Sequence, residues 1–176
     1  VKGETELTQL IQMARLGQEN AFSLLVKRFE GLVMKVALTM MGTHHDAQDA
    51  TQDVFLRFFR NIHVMDADLG VAAWFRKTTV RVCLNLLERR KRINFAEQPV
   101  SPDQFPTRPQ GSFQALKQGL AQLTARERAA FVLVYLFGYS TTETGETLSI
   151  AAGTVKSLCF RARGKLREHL EEEGSQ

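Results

Sequence analysis

All four prolines of this chain, Pro99, Pro102, Pro106 and Pro109, fall in one short stretch, and no other feature constrains the fold as strongly. Proline lacks an amide proton and fixes φ, so it breaks helix interiors and central strands. Residues 94–111 around these prolines have little apolar content and no helical period. They read as an extended, flexible linker. At about 3.1 Å per residue in a polyproline-like state, these 18 residues would span on the order of 50 Å. The 176-residue chain is thereby divided into an N-terminal domain, 1–93, and a C-terminal one, 112–176. With such a tether, the placement of one domain relative to the other is expected to vary in the free chain and to be set by whatever the two bind.

Both flanks carry helical periodicity. Leu7, Leu10, Ile11 and Ala14 recur at helix spacing, as do Phe22, Leu25, Val26, Phe29, Leu32, Val33, Val36, Ala37 and Met40. Gly42-Thr43 interrupts the pattern. It resumes from Asp46 to Ile62 with Ala50, Val54, Phe58 and Ile62 on one side, and again from about Val71 to Arg92. No stretch alternates polar and apolar over a strand's length, so the expected fold is all-α: two small helical domains joined by a Pro-rich linker. In the C-terminal domain, Thr124-x-x-Glu127 and Ser140-x-x-Glu143 match the capping box, in which a hydroxyl and a Glu satisfy amides at a helix start. A short helix over about 141–148, a turn at Ser149-Ile150 and a longer helix from about Ala151 make a helix-turn-helix.

Charge points to a polyanionic partner. The net charge of +4 resides wholly in residues 61–93, where seven basic residues face three acidic ones. A second basic segment, Lys156, Arg161, Arg163, Lys165 and Arg167, lies in the last helix. Two such segments interleaved with aromatics favour nucleic acid over merely solvated helix faces. On that last helix Val155, Cys159, Ala162 and Leu166 form the apolar stripe that docks on the domain. Lys156, Ser157, Phe160, Arg161 and Gly164 lie opposite. Lys and Arg donate to guanine, Ser bonds several base edges, and Phe packs on a thymine methyl. Arg163 and Arg167 flank this face at positions suited to phosphates.

Gly153-Thr154-Val155-Lys156-Ser157, followed by Phe160-Arg161-Ala162-Arg163 and Leu166-Arg167, closely resembles the −35-reading helix of bacterial sigma factors of the extracytoplasmic-function (ECF) class. The resemblance extends to Leu123-Thr124-x-Arg126-Glu127-Arg128. In the N-terminal domain it covers Ala47-Gln48-Asp49-Ala50-x-Gln52-Asp53-Val54-Phe55-Leu56-Arg57, Trp74, Val82-Cys83-Leu84 and Arg89-Arg90-Lys91-Arg92. It implies that core RNA polymerase, promoter DNA and an anti-sigma factor are partners. By this resemblance Asp49, Gln52, Asp53, Phe55 and Phe59 bind the polymerase clamp helices, although the two rings read equally as further core. The loop His63 to Ala73 and the helix after it, with Arg76, Lys77, Arg81, Asn85, Arg89 and Arg92, meet the −10 element and capture a flipped base. Thr154, Lys156, Ser157, Phe160, Arg161, Arg163 and Arg167 meet the −35 element. Arg81 stands where the family usually has Asn. Thr144-Gly145 replaces its Ile-Ala, with Gly expected to weaken the supporting helix, and Leu158 replaces an Arg, which removes one phosphate contact.

Other chemistries find little support. Cys83 and Cys159 form no CxxC pair, and His44-His45-Asp46 with His63 lacks a completing ligand, so neither a disulfide scaffold nor a metal site is expected. There is no phosphate-binding GxxxxGK loop and no placed nucleophile–base pair, so no cofactor and no enzymatic activity are expected. No apolar run approaches the roughly 20 residues of a membrane span, and Val1-Lys2-Gly3-Glu4 opens no signal peptide, so a cytoplasmic protein without membrane insertion is expected. The alternative to a sigma factor is a stand-alone helix-turn-helix regulator that binds an operator as a dimer.

Overall fold

The computed structural model describes residues 2–63, 70–93 and 112–173, and the 94–111 stretch lies outside them. Every regular element in the described residues is helical. Helix α1 spans Lys2–Arg15, α2 Glu19–Met41, α3 His44–Asn61 and α4 Val71–Ile93. After the linker come α5 Ser112–Ala121, α6 Ala125–Phe131, a π-helical continuation Val132–Leu136, α7 Thr141–Leu148 and α8 Ala152–Glu173.

The α2–α3 corner follows from two residues. Gly42 takes φ +83°, which only glycine adopts freely, and its amide donates to Leu38 O. Thr43 then caps α3 by accepting from the Asp46 amide at 3.3 Å. The corner folds α3 back on α2, so Ala50, Val54 and Phe58 meet Leu25, Phe29 and Val33 in one core. Phe75 of α4 is fully buried at the centre, with ring centroids 4.7 Å from Phe29, 4.8 Å from Phe58 and 5.5 Å from Phe55. Such ring pairs add about 0.5–1.5 kcal/mol each beyond the area they bury.

In the C-terminal half both capping boxes form. The Glu127 amide donates to Thr124 Oγ1 while the Thr124 amide donates to Glu127 Oε2 at 3.0 Å. Ser140 and Glu143 repeat the arrangement at α7. These boxes fix where α6 and α7 begin, and so fix the angle at which the helix-turn-helix enters α8. Gly145 is better suited to its place than helix propensity suggests. A Cβ there would lie 2.6 Å from Ile150 O, so the close approach of α7 to the turn requires glycine.

The two halves pack against one another in this structure. Ala129, Val132 and Leu133 belong to the same buried cluster as the α1–α4 core, and Phe137, Tyr139 and Leu148 pack against it. The physical reason is that α6 is apolar on two faces. One face meets α8 and the other requires a second cover, which α2 and α4 provide.

Candidate nucleic-acid interface

The α8 surface is built by its own period. Val155, Leu158, Cys159, Ala162 and Leu166 are buried, whereas Thr154, Lys156, Ser157, Phe160, Arg161, Arg163 and Arg167 are all exposed. Phe160 is 80% exposed, an unusual state for a phenyl ring held on a rigid helix. Ser157 Oγ donates to Gly153 O at 3.2 Å and keeps its lone pairs outward. Leu158 is part of the docking stripe, packed with Ala130, Val155 and Cys159. A side chain at that position faces the domain, so its replacement of an Arg removes no exposed cation from this face.

Behind this surface lies Glu127, which sequence reasoning placed only as a cap. Its carboxylate is buried, accepts from Lys165 Nζ at 2.8 Å and lies 3.6 Å from Arg161 Nε. Burial alone would raise its pKa. Hydrogen bonds from Lys165 and from Thr124 outweigh that and hold the carboxyl below its usual range. One acid thus ties the start of α6 to the basic helix. Arg167 Nε lies 3.6 Å from Glu171 on the flank of α8.

On α4 the six cations and amides expected at the −10 element divide. Arg81, Asn85 and Arg89 are exposed, and the Arg92 side chain lies outside the described residues. Arg76 and Lys77 sit over the Phe137 and Tyr139 rings, at 5.6 and 5.4 Å from the centroids. Arg81 donates to Thr147 O at 2.7 Å and to Glu146 O at 3.2 Å. Arg90, the middle of the basic run, is a structural residue: it makes a bidentate pair with the buried carboxylate of Asp46. The loop preceding α4 is shorter than expected, because Val71 to Ala73 are already helical; residues 64–69 of it lie outside the described residues.

On α3 the exposed face carries Asp49, Gln52, Leu56 and Phe59, with Asp53 partly exposed and paired to Arg57 at 3.2 Å. Phe59 is 61% exposed and held edge-on by Phe22 at 5.3 Å. Phe55 instead leans on Phe75 and packs against the core, so of the two rings only Phe59 is offered outward. His45, Asp46 and Asp49 bring ligand-type atoms within 4.8 Å of one another. Both Asp46 oxygens accept from Arg90, and His45 Nδ1 lies 3.6 Å from Asp49.

The sequence matches the Sigma-70 region 2 family model over residues 25–93 and the Sigma-70 region 4 model over residues 113–166. It is 32% identical to the ECF RNA polymerase sigma factor SigM of Mycobacterium tuberculosis across 93% of this chain and 84% of that protein. This chain belongs to the ECF sigma factors. The ECF sigma factor SigW of Bacillus subtilis is 24% identical over 96% of the chain and 99% of its own length. Among solved structures, the sigma factor RpoE of Bartonella quintana, in complex with the anti-sigma factor NepR, matches with a TM-score of 0.69. At 23% identity, covering 85% of this chain and 96% of that one, it shows the shared helical fold. The region 2 match runs from within α2 to the end of α4 and the region 4 match from α5 into α8, and family membership displaces the reading of a stand-alone operator-binding dimer. No described helix of this ECF sigma factor is long and apolar enough to cross a membrane.

Proposed function

We propose that this sigma factor works in the cytoplasm, without catalysis of its own, as the subunit that directs core RNA polymerase to a set of promoters through three surfaces. Residues 112–176 read the −35 element with Thr154, Lys156, Ser157, Phe160 and Arg161, while Arg163 and Arg167 hold phosphates. Residues 1–93 meet the −10 element along α4 with Arg76, Lys77, Arg81, Asn85, Arg89 and Arg92. They bind core polymerase through Asp49, Gln52, Asp53 and Phe59, with the partly buried Phe55 at the inner edge of the same helix. Residues 94–111 serve as the tether between them.

The observation that carries this reading is the partition of α8. Its apolar stripe is inward, and the outward face collects cations, a hydroxyl and a phenyl ring left almost wholly exposed. Exposed apolar groups at Phe59 and Phe160 also suit capture by an amphipathic anti-sigma helix. The test is transcription with purified core polymerase on a library of randomised −35 and −10 sequences. Initiation from a narrow set of sequences is expected only when this protein is added. Core polymerase that initiates no differently with it would refute the assignment.

A further inference from the structure

Arg161 stands on the outward face of α8 with a carboxylate directly behind it. Its exposed guanidinium has Nε 3.6 Å from Oε1 of the buried Glu127 side chain. Glu127 belongs to α6, so the contact crosses from one helix to another. The two oxygens of the acid divide their partners. Oε2 accepts from Lys165 Nζ at 2.8 Å and from the Thr124 amide at 3.0 Å. Oε1 is turned toward Arg161.

A buried carboxylate with one oxygen fixed by a backbone amide and an ammonium has little freedom to swing. The capping box sets its place at the start of α6, so Arg161 meets a fixed anchor. An arginine on a helix surface otherwise samples many rotamers, and their loss on binding opposes whatever contact it makes. An anchor at Nε engages the inner edge of the planar guanidinium. The terminal pair of nitrogens is left for a bidentate contact to guanine O6 and N7. Lys165 decides the sign of the effect. Its ammonium balances the charge of Glu127, so the acid orients Arg161 without cancelling the positive charge that DNA meets.

We propose that Glu127 is a positioning residue for −35 reading: from behind the recognition helix it holds Arg161 in the orientation that addresses one base pair. The inference rests on the assignment of Arg161 to base reading. Glu127 acts through Arg161 and touches no DNA itself. Preference at that base pair therefore depends on a side chain of α6 as well as on α8.

Glu127→Gln isolates this contact. Glutamine has a single acceptor oxygen, which Lys165 and the Thr124 amide both claim, so its NH2 group is turned on Arg161. The start of α6 keeps its acceptor. Thr124→Ala is the structural control, because it removes the hydroxyl of the cap and leaves both carboxylate oxygens and the backbone amide in place. Full-length variants reconstituted with core polymerase are selected on promoter duplexes randomised at the −35 positions. Glu127→Gln should lower the preference at the base pair that Arg161→Ala also relaxes by about five-fold, the low end of what one bidentate base contact supplies. Other positions, and the whole profile of Thr124→Ala, should match the parent. In an Arg161→Ala background Glu127→Gln should change nothing further. An unchanged profile for Glu127→Gln would overturn the proposal. So would an even loss across all positions, the same loss in Thr124→Ala, or an effect that persists without Arg161, each of which marks a purely structural acid. Arg161→Ala that leaves every preference unchanged would instead refute the base-reading assignment, and the positioning role would fall with it.

Discussion

Replacing Glu127 separates the structural from the DNA-reading role of the acid behind α8. Glu127→Ala removes one arm of the capping box at α6, for which about 0.5–1 kcal/mol is expected. It also removes the counter-charge of Lys165. That ammonium is 42% exposed, so solvent screening limits its share to about 0.5–1 kcal/mol. Arg161, 59% exposed and 3.6 Å away, adds little to stability. Relief of the buried carboxylate's desolvation and the better helix propensity of Ala offset part of the loss. The net expectation is about 1–2 kcal/mol for Glu127→Ala and roughly half of that for Glu127→Gln, which keeps an acceptor for the Thr124 amide. Urea unfolding of the full chain measures both. The pH dependence adds a second reading. The folded carboxyl lies below the ordinary value of 4.5, so its contribution is complete above 4.5 and is lost as pH falls through the folded value. The gap between the parent protein and Glu127→Gln should therefore close in acid. Unfolding midpoints that coincide at neutral pH, or a gap independent of pH, would refute the account of Glu127 as the tie between α6 and α8.

Further outcomes are expected. Asp49→Ala, Gln52→Ala and Phe59→Ala together should weaken co-purification with core polymerase while leaving helicity by circular dichroism unchanged, since all three side chains are exposed. Phe55→Ala should instead lower stability, because that ring packs on Phe75. Lys156→Ala or Arg161→Ala should cost roughly 1–3 kcal/mol in −35 binding and relax the selected sequence, whereas Arg167→Ala should weaken binding evenly across sequences; an unchanged selected motif for Arg161→Ala would show the face to be misassigned. Asp46→Asn should destabilise the chain by about 1–2 kcal/mol, a buried-pair loss reduced because Arg90 is 43% exposed. The Arg90 guanidinium holds the Asp46 carboxyl below its ordinary 3.8, so this contribution is full above that value and disappears as pH falls through the folded one, which a pH series of unfolding midpoints reads.

Much of the molecule was legible in its sequence because the governing physics is local. Helix period placed Ala50, Val54 and Phe58 inward, and α3, α7 and α8 run where their patterns indicated. The two capping boxes were visible because their donors and acceptors lie three residues apart. The outward face of α8 was legible for the same reason: a helix fixes which residues share a side. Family motifs added which partner each face meets.

What local pattern could not supply was the destination of side chains that leave their own helix. Arg90 looked like one more cation of a basic run, yet it closes on Asp46, 44 residues earlier. Arg81 looked free for DNA, yet it caps a helix 66 residues later. Leu158 read as a lost phosphate contact and is a docking residue. Phe55 and Phe59 were equivalent by spacing, and only the position of Phe75 separated the inward ring from the outward one. The proline-rich tether leaves the placement of the halves open, and the second apolar face of α6 packs them against one another in this structure. Hydrophobic period records that a face must be covered. Only the tertiary structure decides by what, because the covering element is chosen by shape and charge across the whole chain.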